Sequence, residues 1–212
     1  MPQLSDLTAA VAAGKRADCV RLTQELLAGG ADPRAIVEQG LVPGMAIIGE
    51  QFRQNQCFVP EMLVAARAMK EAFKLLEPLL AEAGVEPKFT AVIGTVQGDL
   101  HDIGKNLVAT MWRGANFKVV DLGTNVPADR YISAVREHHA HVVGVSALLT
   151  TTMGAMRDTV KALRDANIEG IHIVVGGAPI TQQFAEEIGA DAYAADAGTA
   201  IEVAKQLVGE AA

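Results

Sequence analysis

The chain has 212 residues, 50% of them hydrophobic and 20% charged, enough apolar material for one large core or two smaller ones. A formal net charge of −7 argues against a nucleic-acid partner, which needs clustered lysine and arginine, and no apolar run reaches the length of a membrane span. The start Met1-Pro-Gln-Leu-Ser-Asp6 lacks the basic and apolar regions of a signal peptide, and the two cysteines, Cys19 and Cys57, form neither a disulfide framework nor a Cys-x-x-Cys site, so the expectation is a cytoplasmic protein with reduced thiols.

Residues 4–83 read as helix throughout. Leu4–Val11, Ala17–Ala28, Ala35–Phe52 and Pro60–Ala83 carry apolar residues at three- and four-residue intervals, without strand-like alternation. Breaks fall at Gly14, at Gly29-Gly30 and at Asn55-Gln56, and Asp32 before Pro33 suits a helix N-cap. Short connections between four helices predict a bundle, a domain of residues 1–84. Gly84-Val-Glu-Pro-Lys88 reads as a linker, and a second domain is expected over residues 85–212.

In that second half, strand and helix alternate. The strands are expected at Phe89–Thr95, Lys118–Leu122, Val142–Ser146, Ile171–Gly176 and Ala190–Ala194. The helices are expected at Ile103–Arg113, Asp129–His139, Met153–Asn167, Gln182–Ile188 and Thr199–Val208. Apolar strands joined by single helices imply a five-stranded parallel sheet covered on both faces. Right-handed crossovers then favour a doubly wound, Rossmann-like α/β fold with flavodoxin-like strand order 2-1-3-4-5. In such folds ligands sit beyond the carboxyl ends of the strands, so three loops should converge there. The first carries Gly98-Asp-Leu-His-Asp-Ile-Gly104, the second Ser146-Ala-Leu148-Leu-Thr150, and the third Gly176-Gly177. A histidine beside a carboxylate suits metal ligation, because the carboxylate fixes the ring tautomer and raises its basicity.

Taken together, Asp99-x-His101-x-x-Gly104, Ser146-x-Leu148 and Gly176-Gly177, at the intervals at which they fall, resemble the signature of cobalamin-binding domains of the base-off, His-on type. Gly98-Asp-Leu-His-Asp-Ile-Gly-Lys-Asn106 and Asp121-Leu-Gly-Thr-Asn-Val-Pro127 are similar to the cobalamin module of methionine synthase and of corrinoid methyl carriers. The resemblance implies that His101 is the lower axial ligand to cobalt, that Asp99 accepts its other ring N–H, and that Ser146 extends this relay. It places Gly98, Leu100, Asp102, Ile103, Gly104, Leu148, Thr150, Gly176, Gly177 and Ala197 against the cofactor, the glycines letting backbone approach the nucleotide tail. The helical half is similar to the cap of methyl-carrying cobalamin proteins through Gly44-Met-Ala-Ile-Ile-Gly-Glu-Gln-Phe52, Phe58-Val59-Pro60 and Ala65-Ala-Arg-Ala-Met-Lys70. There Phe52 and Val59 would shield the upper, methyl-bearing face, with Glu38 a polar residue near it. Val59 stands where leucine is commoner, and ordinary bundle core is the competing reading of both apolar residues.

The function so implied is a stand-alone methyl carrier. It would accept a methyl group on cob(I)alamin, or a related corrinoid, from a donor methyltransferase. It would then pass that group from methyl-Co(III) to an acceptor methyltransferase working on tetrahydrofolate or coenzyme M. A reductive-activation protein is a further implied partner, and the cap would hinge at Gly84–Lys88. The alternatives are a cobalamin-binding sensor or regulatory module and, further off, a flavodoxin-like nucleotide-binding module. His138-His139-Ala-His141 lacks cysteine partners and ligand spacing for zinc, and Gly94-x-x-x-Gly98 is not a dinucleotide fingerprint, although Asp121 would suit a ribose. Trp112 reads as a helix residue packed on the sheet, and the Thr150-Thr151-Thr152 run as a helix start as well as a cofactor contact.

Overall fold

The computed structural model describes residues 2–83 and 87–209, so Gly84, Val85 and Glu86 of the expected linker and hinge lie outside the described residues. The chain divides into two compact units, one of Met1–Lys88 with Arg113–Asn116 and one of Phe89–Trp112 with Phe117–Ala212. The first is helical. Its long helices are α1 (Leu4–Ala12), α2 (Arg16–Ala28), α4 (Val42–Arg53) and α5 (Val59–Glu82), with the single turn α3 (Pro33–Ala35) between the second and third. Leu7 and Val11 of α1, Leu22 and Leu26 of α2, Met45 and Ile48 of α4, and Met62, Met69 and Leu76 of α5 fill its core. Each fully buried aliphatic side chain of this kind contributes roughly 1.5–3 kcal/mol. As the sequence suggests, the Asp32 side chain accepts a hydrogen bond from the Arg34 N–H, with Pro33 at the first helical position.

The helix expected over Ala35–Phe52 is not continuous: a π-helical turn, Ile36–Leu41, separates α3 from α4. The cause is local. Pro43 has no N–H to return to the Gln39 carbonyl, so the α-helical ladder fails there. The Thr8 hydroxyl lies 2.9 Å from the Gly40 carbonyl and 3.4 Å from that of Gln39, giving the freed oxygens a partner from α1.

The second unit is a five-stranded parallel sheet in the order β2-β1-β3-β4-β5, as the strand and helix alternation predicts. Its elements are β1 (Phe89–Thr95), α6 (Ile103–Gly114), β2 (Phe117–Asp121), α7 (Ala128–His138), β3 (Val142–Ser146), α8 (Met153–Asp165), β4 (His172–Gly176), α9 (Gln182–Glu187), β5 (Ala192–Ala194) and α10 (Ala197–Leu207). A 3₁₀ turn, Thr150–Thr152, leads into α8. Successive strand residues face opposite sides. Val143, Val145, Ile173 and Val175 pack with Tyr131, Val135, Met156, Val160 and Phe184 from α7, α8 and α9. On the other face, Gly144 leaves room for Trp112, whose ring edge would lie 2.8 Å from a Cβ there and whose indole N–H donates to the Ala200 carbonyl at 2.9 Å. Among the described residues no helix is long and apolar enough to cross a membrane.

What positions the site is the register at the carboxyl edge. Thr95, Ser146, Gly176 and Ala194, the last residues of β1, β3, β4 and β5, are paired neighbour to neighbour. The loops that follow them therefore leave the sheet at one level.

Candidate functional site

At that edge the chain leaves β1 at Thr95, turns through Val96–Gly98 and enters the loop that carries His101 before α6 begins at Ile103. Asp99 is the fixed point of this loop. Its side chain is fully buried, and five donors reach its two oxygens. Oδ1 accepts the His101 N–H at 3.0 Å and faces His101 Nδ1 at 2.7 Å. Oδ2 accepts from the Leu148 N–H at 2.7 Å, the Leu149 N–H at 3.3 Å and the Thr152 hydroxyl at 2.9 Å. Burial alone would raise the carboxyl pKa. The donors from Leu148, His101 and Thr152 outweigh it and hold Asp99 well below the usual carboxylate range. Asp99 is thus a permanent anion, and it fixes the His101 ring with Nδ1 inward and Nε2 outward. The Thr95 hydroxyl donates to the His101 carbonyl at 2.9 Å, holding the backbone of the same residue.

The imidazole is half exposed, with a side-chain accessibility of 49%, and its surroundings are apolar. Leu100 is 74% exposed, Ile103 79%, Leu148 43% and Leu149 40%. A polar ring nitrogen among uncovered aliphatic side chains is the surface of a binding site rather than of a solvated loop. A Cβ built at Gly104 meets nothing within 4 Å beyond its chain neighbours and the backbone of its own helix, so the surface beside His101 is also open there.

The glycines of the third loop answer a different need. A Cβ on Gly177 would lie 1.8 Å from the Ala147 carbonyl oxygen, at a φ of +131°, and one on Gly176 would lie 2.9 Å from the Ala194 carbonyl oxygen. The close approach that excludes side chains here is of protein backbone to protein backbone, at the ends of β3, β4 and β5.

The remaining expected residues fall as follows. The hydroxyl on the Asp99 carboxylate is that of Thr152 and not of Ser146. Ser146 ends β3 and gives its carbonyl to the Val96 N–H at 3.0 Å. The 3₁₀ turn carries Thr152 back under the loop and leaves Thr150 exposed, and no spacing in the sequence announces this. Asp102 serves the first turn of α6, its carbonyl accepting the Asn106 N–H at 2.7 Å and its carboxylate the Asn106 amide at 3.0 Å. Ala197, buried, opens α10 behind the N-cap Asp196. Asp121, the candidate ribose acceptor, is held instead by Lys105, whose buried ammonium lies 2.5 and 2.7 Å from its two oxygens. His141 Nδ1 accepts the Thr90 N–H at 3.2 Å, a structural contact away from this edge. Within the helical unit, Phe52 lies near the end of α4 and Val59 opens α5, both half-buried. Glu38, exposed in the π turn, pairs with Arg34 at 2.8 Å.

Comparison with known proteins shows the family to which the chain belongs. Residues 89–204, more than half the chain, match the family model described as B12 binding domain, and residues 3–77 match a second model of the same description. The chain belongs to the B12-binding family. It is 39% identical over 207 residues to dimethylamine corrinoid protein 1 of Methanosarcina acetivorans, covering 97% of each chain. It is 41% identical over 183 residues to the trimethylamine corrinoid protein of Methanosarcina barkeri, covering 85% of this chain and 84% of that one. Among solved structures it is similar to a cobalamin-binding protein of Desulfitobacterium hafniense, with a TM-score of 0.82 at 26% identity over 97% of this chain and 98% of that one. It is also similar to a chain of the methanol:cobalamin methyltransferase complex of Methanosarcina barkeri, with a TM-score of 0.83 at 29% identity over 97% of this chain and 79% of that one.

The cofactor of this B12-binding chain is cobalamin or a related corrinoid, and the residues fit it. His101 offers an imidazole nitrogen of fixed direction, the aliphatic rim of Leu100, Ile103 and Leu148 suits the underside of a macrocycle, and Gly104 leaves space beside them.

Proposed function

We propose that this protein is the methyl-carrying corrinoid subunit of a methyltransferase system, charged by a donor methyltransferase and discharged by an acceptor methyltransferase. The observation that carries the proposal is the Asp99–His101 pair. It presents one ring nitrogen at an apolar, open edge, in a chain whose relatives are named for methylamine corrinoid proteins. When bound, the corrin's cobalt supplies the nucleophile that takes up the methyl group and the electrophile that gives it away. His101 Nε2 would hold the metal from below. Asp99 accepts the proton of Nδ1 and, being locked as an anion by five donors, favours a strongly donating imidazole whenever the ligand is engaged. By the resemblance, Phe52 near the end of α4 and Val59 at the start of α5 would be the aromatic and aliphatic pair that shields the methyl group, with Glu38 a polar residue of the same face. A methylamine or methanol is the donor class that the relatives suggest. Tetrahydrofolate or coenzyme M is the acceptor, and a reductive-activation protein keeps the metal competent.

The test is reconstitution of the protein with hydroxocobalamin, reduction, and incubation with isotopically labelled dimethylamine, trimethylamine or methanol and the matching donor methyltransferase. Label should stay with the protein, leave on illumination, and pass to tetrahydrofolate or coenzyme M when an acceptor methyltransferase is added. Retention of cobalamin without labelling by any donor would overturn the carrier reading. An unchanged cobalt-ligation spectrum in His101→Ala would overturn the ligand assignment.

A further inference from the structure

Asp99 orients His101, but Asp99 lies in a loop without regular structure and must itself be held. Donors from Leu148, Leu149 and Thr152 fix its carboxylate, and the Gly98–Asp99 backbone is fixed from the β2–α7 loop. Asn125 clasps both sides of that short stretch. Its Oδ1 accepts the Gly98 N–H at 2.8 Å, and its own N–H donates to the Asp99 carbonyl at 2.9 Å. Asn125 has a φ of 54° and Gly98 a φ of 84°, so two left-handed residues meet across two loops. An asparagine in that conformation ordinarily bonds its own neighbouring backbone. This one bonds a residue 27 positions away.

The β2–α7 loop is itself tied to β1 by backbone hydrogen bonds. The Leu122 N–H donates to the Ile93 carbonyl at 2.8 Å, Thr95 to Gly123 at 3.0 Å, and Val126 to Thr95 at 2.9 Å. At its start, Asp121 Oδ1 accepts the Gly123 N–H at 2.9 Å, while both Asp121 oxygens hold Lys105, in the first turn of α6. The loop that bears His101 is therefore braced by one neighbour at both ends, at Gly98–Asp99 by Asn125 and just past His101 by Asp121 through Lys105.

From this we infer that Asn125 is a positioning residue for the axial ligand: it sets where Asp99, and through it His101 Nε2, stands at the sheet edge. The inference rests on the proposal that His101 ligates the cobalt. It adds that ligation depends on one side-chain oxygen of the next loop.

The experiment compares wild type with Asn125→Gly and Asn125→Asp. Glycine keeps the left-handed backbone and removes the acceptor, whereas aspartate tolerates the same backbone and keeps an oxygen in place. Each protein is made with 15N-labelled histidine, loaded with cobalamin and reduced to the Co(II) state, and the ratio of histidine-ligated to histidine-free cobalt is read from the 15N superhyperfine splitting in the electron paramagnetic resonance spectrum, which the cofactor's own 14N base does not give. Loss of one hydrogen bond predicts a roughly fivefold fall of that ratio in Asn125→Gly, with Asn125→Asp near wild type. In the cofactor-free proteins, exchange of the Gly98 amide hydrogen should quicken in the glycine variant and not in the aspartate variant. A wild type without histidine splitting would remove the ligand assignment and this inference with it. A wild type with splitting, matched by an unchanged Asn125→Gly, would overturn this inference alone. Equal losses in the glycine and aspartate variants would also overturn it, because the acceptor oxygen would then not be the cause.

Discussion

In the sheet unit a single carboxylate collects donors from two loops and locks a histidine, while the helical unit leaves Ile47, Phe58, Leu63 and Val64 exposed and builds its interior from methionine and aliphatic side chains. The difference is one of physical means. Hydrogen bonds impose one direction on a side chain, as they do on His101. The helical unit is held by apolar packing, in which unbranched side chains such as Met45, Met62 and Met69 fill the interior. Substitutions in the first unit should therefore act through geometry, and those in the second through packing and burial.

The sharpest way to break that comparison is Gly177→Ala. With a Cβ placed 1.8 Å from the Ala147 carbonyl oxygen, the sheet unit should lose more than about 4 kcal/mol and fail to refold cooperatively in urea. Gly104→Ala is its counterpart. With open space above it and a place in α6, it should leave the stability of the cofactor-free protein unchanged or raise it by up to about 1 kcal/mol, while weakening cobalamin retention. Should both behave alike, the distinction between glycines that serve the protein and those that serve the cofactor is wrong.

Next in size is Asp99→Asn. It turns an amide NH₂ toward N–H donors and should cost roughly 2–4 kcal/mol in denaturant titrations of the cofactor-free protein. The helical unit supplies a contrast that depends on pH. Burial, with Asp18 alongside, pushes the Cys19 thiol up to about 11, while a thiol in the unfolded chain ionises near pH 8.5. The unfolded state thus loses its proton first. Stability from this group is complete below about pH 8.5 and is lost as the pH rises toward the folded value, by roughly 3 kcal/mol in all. Urea midpoints of wild type should fall between pH 8.5 and 11 more steeply than those of Cys19→Ala, and parallel slopes would refute the assignment.

The smallest effects separate two hydroxyls. Thr152→Val removes a donor from Asp99 and should cost about 1–2 kcal/mol, whereas Ser146→Ala should stay within about 0.5 kcal/mol. The same thermal scans measure both, and a reversed order would return the relay to Ser146.

Much of this was legible in the order of residues, and what was not has a common cause. β1 and β3 begin and end where their β-branched runs do, because a fully buried parallel strand leaves little choice, and the loops that converge follow from the strand order. The motif residues Asp99 and His101 meet because they are two apart in one loop. Thr152 and Asn125 could not be found the same way. Each acts on Asp99 or its neighbour from another loop, so its role depends on a turn geometry that periodicity does not encode. The π turn escaped notice for a similar reason. Ala35–Phe52 has a helix's apolar spacing, and the break shows only when the missing N–H of Pro43 is set beside the hydroxyl of Thr8, from another helix, on the Gly40 carbonyl.

That turn carries a consequence for the residues beyond it. A π-helical turn holds one residue more than the α-helix would, while each residue advances an α-helix by about 100°. Deleting a single position between Ile36 and Leu41 should therefore close the segment into regular α-helix and leave Phe52 on its present bearing. Forcing the same residues into α-helical spacing, with nothing deleted, would instead swing Phe52 to another quadrant of the rod. The irregular turn thus works as a slack link, taking up one surplus residue so that an aromatic ring more than two turns away keeps its compass heading.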